Sequence, residues 1–232
     1  MARFCVVIIN YKTPHLVTGC LESLLPELII LDSKVIIVDN YSNDDSCQII
    51  SKWIDQNDSL KQIELIVSEE NTGFSGGNNL GISHVEAEYY LLLNSDTIVR
   101  KGAIELLLNA ANKDKKIGLI SPRLEWPDAT PQESCFRFHS PVSEFTSSAG
   151  TGAISQLLKT YSVANPVTSD NSYCDWTSFA CVLVKADVFK QIGLMDDKFF
   201  MYFEDMAYCY QAKQAGWSIL NVPSAHVVHL RG

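Results

Sequence analysis

The chain reads as an α/β protein built on a mostly parallel central sheet, and three observations predict this. Short apolar runs without alternation recur at Phe4–Ile9, Val35–Val38 and Tyr89–Leu93, the pattern of strands covered on both faces. Segments with helical spacing separate such runs, so strand, helix and strand follow in tight order. With 232 residues the chain can also bury a substantial core.

Taken in order, Phe4–Ile9 is the first strand, Leu16–Leu25 a helix ending near Pro26, and Val35–Val38 the second strand. Ser46–Ile54 is a second helix, Ile63–Val67 a third strand, Leu80–Val85 a helix and Tyr89–Leu93 a fourth strand. The first hundred residues are thus a nucleotide-binding type of α/β half. Ala103–Ala111 is helical, and Ile117–Ile120 is a fifth strand ended by Ser121-Pro122. From Trp126 to Asn171 Ser, Thr and Pro are frequent and periodicity is weak, which predicts loops that cover a site or contact a partner. Order returns with the apolar run Phe179–Val184 and the short helix Asp187–Ile192. The helix Glu204–Ala215 is closed by Gly216, and Trp217–Val222 and Ala225–Leu230 are short strands flanking Pro223.

Composition excludes several classes of function. A net charge of -9 argues against a nucleic-acid partner, because the basic residues are few and scattered. The seven cysteines include no CxxC pair and several lie in apolar runs, so they read as structural thiols in a reducing compartment. The apolar start before Asn10 is too short for a membrane span, and no signal-peptide pattern follows it. A cytoplasmic chain is expected, with peripheral attachment to a membrane surface left open and oligomeric state not legible.

The residues that can carry chemistry sit at strand and helix ends. Asn94-Ser95-Asp96-Thr97 follows the fourth strand, where an open α/β sheet binds its ligands, and Asp96 can hold Mg2+ or Mn2+ with phosphate oxygens and water completing the shell. Asn94 offers an oxygen without charge. Asp39, at the end of the second strand, either accepts hydrogen bonds from a base or ribose hydroxyl or makes an ordinary side-chain turn. Asn71 to Asn79, with Gly73, Gly76 and Gly77, is either a flexible turn or a close backbone approach to a polar ligand, with an anion at the amino end of the following helix. Glu204 and Asp205 open a helix, where acids complement the dipole; after Phe199-Phe200-Met201-Tyr202-Phe203 they can instead form a general base beside an apolar wall. His226 and His229 face opposite ways on a strand, and His229 is either a metal ligand or phosphate contact, or a satisfied polar residue. Asn10 to Pro14 lacks the glycines of a dinucleotide fold.

Five segments in this order resemble the family 2 glycosyltransferases, especially rhamnosyltransferase-like members that build bacterial polysaccharides. They are Val6–Tyr11, Ile37–Asp44, Asn71–Asn79, Leu92–Thr97 and Phe200–Asp205, and together they cover almost the whole chain. The resemblance implies a GT-A-like fold in a single domain over residues 1–232, with 1–100 the nucleotide-sugar-binding half and 101–232 the acceptor-binding half. It implies inverting transfer of a hexose or deoxyhexose, such as rhamnose, from a UDP-, dTDP- or GDP-linked donor to a saccharide or lipid-linked saccharide, for which a cytoplasmic chain would work at the inner face of the membrane. Carried onto this sequence, Asp39 contacts the nucleoside, Asn10 and the Gly76, Gly77, Asn78 and Asn79 loop help seat the donor, Asp96 holds the metal, Asp205 is the base, and Glu204 orients either the base or the acceptor. The chain departs from the family in having Ala207 where Glu-Asp-x-Asp has its second Asp. It also stops at Gly232, where relatives continue, as a compact variant or a truncated chain. The rival readings are a sugar nucleotidyltransferase, which calls for a Gly-rich basic loop after the first strand, and a catalytically idle glycan-binding scaffold.

Overall fold

The computed structural model describes residues 2–29, 31–138 and 163–231. The first half comprises β1 (Ala2–Asn10), α1 (Pro14–Leu28), β2 (Ser33–Asp39), α2 (Ser46–Asn57), β3 (Ile63–Val67), α3 (Gly73–His84) and β4 (Ala87–Asn94). There follow β5 (Thr97–Val99), α4 (Ala103–Ala111), β6 (Ile117–Glu125), β7 (Cys135–Phe136), β8 (Ser172–Cys174), β9 (Trp176–Thr177) and β10 (Cys181–Lys185). The described chain closes with α5 (Ala186–Ile192), α6 (Glu204–Gln214) and β11 (Ser218–His229).

The main sheet has the order β3-β2-β1-β4-β10-β6-β11-β5, with β8 on β11, while β7 and β9 pair separately. The long ladders, through β3-β2-β1-β4 and between β6 and β11, are parallel, so the sheet is mostly parallel as expected. The antiparallel insertion of β10 between β4 and β6 joins the two halves into one sheet.

Alternation along β1 divides the core between the two faces of the sheet. Phe4, Val6 and Ile8 meet α1 and α4 through Leu21, Leu24 and Leu107 on one face. Cys5 and Val7 look the other way, toward the side covered by α3, α5 and α6, where Ile82, Phe189 and Tyr208 belong to the same cluster. Six of the seven cysteines are buried, and all seven are unpaired. Burial pushes the Cys5 and Cys20 thiols up to about 12, as befits inert packing groups.

Three boundaries differ from the sequence reading at a proline. Helix α1 continues two residues past Pro26, whose ring removes one helical hydrogen bond, to the carbonyl of exposed Glu22 in the last turn. Strand β6 continues through Pro122, because pairing with β10 has already ended at Ile120 and no donor is needed on that side. The two strands expected around Pro223 are one strand, β11, in which the proline falls within a register shift between Val222 and His226. Gly216 does close α6, at φ +92°, with Trp217 and Gly216 donating to the Ala212 and Lys213 carbonyls. Within the irregular stretch Trp126–Asn171, residues 139–162 lie outside the described residues, and with them that part of the expectation of covering loops.

Helix α3 lies against β1 closely enough that a Cβ on Gly81 would sit 2.5 Å from Val7 Cγ1. A Gly81→Val substitution is therefore expected to lower stability by about 1–3 kcal/mol through overpacking, read by urea unfolding. An unchanged midpoint would show that α3 can withdraw from the sheet without cost.

Candidate active site

The parallel register of β1, β2 and β4 brings their carboxyl ends to one edge, with Asn10 beside Asp39 and Ile9 beside Asn94. A cleft of about 330 Å3 opens there, lined by Thr13, Asn40, Asn71, Asn94, Asp96 and Arg231 among others, with Phe74 and Phe200 as apolar wall. This is the position in which an open α/β sheet takes a ligand.

Asn10 and Asp39 are buried and bonded to each other, and neither side chain lines the cleft. Asn10 Nδ2 donates to Asp39 Oδ2 (2.7 Å) and Ser42 Oγ (3.1 Å), and Asn10 Oδ1 accepts from the Thr13 amide (3.2 Å). Asp39 Oδ1 accepts the Ser42 amide (3.0 Å), the local turn that was one of its two readings. Asn10 thus acts on the loops that border the cleft and does not itself line it.

The segment after β3 also differs from expectation. Helix α3 begins at Gly73, so Gly76, Gly77, Asn78 and Asn79 lie within a helix and form no loop. Asn78 donates to the Phe74 carbonyl, and the Asn79 amide clasps both backbone groups of Met195 (2.7 and 3.1 Å). A Cβ on Gly77 would stand 3.1 Å from Ile9 Cδ1, so that glycine serves helix packing against β1. The residues of this segment that reach the cleft are Asn71, Gly73 and Phe74. Gly73 has φ +69°, and a Cβ there would lie 2.2 Å from the Phe200 carbonyl oxygen. Asn40 holds this corner: its Nδ2 donates to Asn71 Oδ1 and the Gly73 carbonyl, and its Oδ1 accepts from Thr72.

Pairing of β5 with β11 sets Thr97 opposite His229, and Leu230 donates its amide to the Asp96 carbonyl (2.9 Å). His229 Nε2 consequently lies 3.4 Å from Asp96 Oδ1; both side chains are nearly buried, and Asp96 lines the cleft. His226 turns to Glu125 instead, with 3.0 Å between Nδ1 and Oε2. One carboxylate and one imidazole suit a divalent cation that takes its remaining ligands from a diphosphate and water. Among the described residues no third His, Cys, Asp or Glu joins them.

Glu204 and Asp205 begin α6 just beyond Phe200 and Met201, outside the cleft lining itself. Glu204 is 9% exposed, and its Oε2 finds no hydrogen-bond partner among the described residues. Asp205 Oδ1 accepts the Met206 amide at 2.7 Å. Burial raises the proton affinity of both carboxyls above the ordinary range. Of the aromatic run before them, Phe200 lines the cleft, while Tyr202 and Phe203 are exposed by more than half and do not enclose the two carboxyls in the expected apolar wall. Tyr202 and Phe203 both adopt left-handed backbone, φ +73° and +68°, a strained entry into the helix of the kind that clusters at functional sites.

Thr13, Asn40, Ser95 and Arg231 border the cleft without having been singled out in the sequence. Asn40 and Ser95 adjoin acids that were, so adjacency was an available signal; Arg231 carried none.

The chain is similar to known proteins in sequence and in fold. The chain is 27% identical to the low-salt glycan biosynthesis hexosyltransferase Agl10 of Haloferax volcanii, over 97% of this chain and 66% of that one. It is 25% identical to an N-acetylglucosaminyl-diphospho-decaprenol L-rhamnosyltransferase of Mycobacterium tuberculosis, over 97% of this chain and 75% of that one. The mannosyltransferase PcManGT of Pyrobaculum calidifontis, solved with GDP-Man and Mn2+, superimposes with a TM-score of 0.68 at 14% identity, over 98% of this chain and 56% of that one. GalNAc-T7, solved with UDP, GalNAc and Mn2+, gives 0.73 at 13% identity over the whole of this chain and 44% of that one. The chain therefore spans about two thirds of the Haloferax relative and about half of these solved structures, and it shares with the latter the GT-A fold. Residues 5–150, which carry the strand ends, Asp39 and Asp96, match the family model described as glycosyl transferase family 2, and the chain belongs to that family.

Proposed function

We propose that the protein transfers a hexose or deoxyhexose, with inversion, from a UDP-, dTDP- or GDP-linked donor to a hydroxyl of a saccharide or lipid-linked saccharide in polysaccharide biosynthesis. The observation that carries this reading is Asp96, which lines the cleft where the strand ends meet and has His229 Nε2 3.4 Å from its carboxylate. Family membership and the sugar-transferring names of the relatives support it.

In this reading Asp39 lies on the nucleoside side of the cleft, and Asp96 and His229 hold Mn2+ or Mg2+. The cation, when bound, offsets charge on the departing diphosphate. The acceptor oxygen forms its bond to the anomeric carbon as the bond from that carbon to the diphosphate breaks, and Asp205 takes the hydroxyl proton. Glu204, buried beside it, orients the base or the acceptor. Arg231 adds positive charge where the diphosphate leaves. No described helix is long and apolar enough to cross a membrane; the reading sets the protein in the cytoplasm, meeting a lipid-linked acceptor by peripheral contact.

Calorimetry with UDP-, GDP- and dTDP-sugars, with Mn2+ or Mg2+ and again with chelator, tests the donor side. One nucleotide class should bind with metal dependence, and Asp96→Asn should weaken that binding at least about tenfold, the loss of one charged ligand. Equal binding by Asp96→Asn would remove Asp96 from the metal site.

With that donor and a matched acceptor, Asp205→Asn should cut kcat by about 10²–10⁴-fold while leaving donor affinity in place. Unchanged turnover would rule Asp205 out as the base. Because only the carboxylate accepts a proton and burial raises its pKa, wild-type kcat/KM should climb with pH through an acid limb above the ordinary aspartate range. A limb at or below that range would contradict the assignment.

A further inference from the structure

Gln132, in the stretch after β6, is 8% exposed, and its amide donates to the Leu124 carbonyl at 2.9 Å. Its side chain meets His229 twice: Nε2 is 2.8 Å from the His229 carbonyl oxygen and Oε1 is 3.3 Å from the ring Nδ1. A carbonyl oxygen can only accept, so the amide nitrogen must face it, and this settles which way the carboxamide is turned. The group left facing the ring is then an acceptor, and the ring nitrogen opposite it must carry the hydrogen. In a neutral imidazole the lone pair is consequently on Nε2, the atom 3.4 Å from Asp96 Oδ1. Two acceptors that converge in this way repel each other unless a proton or a metal cation lies between them.

We infer that Gln132 is a positioning residue that holds His229 in the tautomer with hydrogen on Nδ1, making Nε2 a ligand that faces a divalent cation together with Asp96. A metal-binding histidine is commonly oriented through its other ring nitrogen, and loss of such a partner weakens metal binding by about 10–100-fold. The carbonyl contact fixes the position of the glutamine and the ring contact fixes the imidazole, so neither backbone tie nor ring contact alone accounts for the pair. His226, on the same strand, shows the contrast: a carboxylate, that of Glu125, meets its Nδ1 in place of a carboxamide. The inference rests on the metal-assisted reading proposed above.

The tautomer can be read without metal. In nitrogen-15 NMR of the metal-free protein, at a pH where the imidazole is neutral, His229 should show hydrogen on Nδ1, and Gln132→Leu should populate the other tautomer. Binding of Mn2+ alone, followed by electron paramagnetic resonance, should be about 10–100-fold weaker in Gln132→Leu than in wild type. Hydrogen on Nε2 in the wild type would overturn the inference, as would equal Mn2+ affinity in wild type and Gln132→Leu. A wild type that fails to bind Mn2+ even with donor present would instead overturn the metal reading, and this inference with it.

Discussion

Strand β1 is hydrogen-bonded on both edges, to β2 and β4, and apolar on both faces, and the placement of the cleft depends on that constraint. A strand so enclosed has one tolerable register, since a slip by one residue would turn Val6 and Ile8 toward the face that Cys5 and Val7 fill. Because all three strands run parallel, fixing the register also fixes which residues emerge together at the carboxyl edge. Asn10, Asp39 and Asn94 are neighbours for that reason, although they lie far apart along the chain.

The same close packing links the two sides of the site. Gly81 and Gly77 let α3 approach β1, and the amino end of that helix then presses against the loop before α6. Gly73 and Phe200 meet there, with the Phe74 amide bonded to the Phe200 carbonyl at 2.9 Å. A path of short contacts runs from Asn40 at the end of β2, through Gly73 and Phe200, to the strained turn ahead of Glu204 and Asp205. Burial of those carboxyls raises their proton affinity, so position and basicity have a common origin in packing.

Much of this was legible beforehand. Unbroken apolar runs identified β1, β2 and β4, because a strand covered on both faces needs no polar positions. Gly216 marked the end of α6, since its backbone conformation suits a residue without Cβ. The prolines misled at Pro26, Pro122 and Pro223, where the missing hydrogen bond falls at a helix end, on a side where pairing has stopped, and at a register shift. The glycines and asparagines from Gly76 to Asn79 misled in the opposite way: their composition suggests a loop, whereas packing against the sheet draws them into a helix.

By itself, the sequence determined the local order of strands and helices, the family resemblance and the identity of the acids at strand and helix ends, because periodicity and short motifs act over a few residues. Tertiary structure alone decided which of those groups meet. His229 reaches Asp96 only because β11 pairs with β5, and Gln132 reaches His229 only because the chain after β6 folds back on the end of β6, the strand beside β11. Such meetings depend on strand register across the whole sheet, a long-range property that no single segment of the chain encodes.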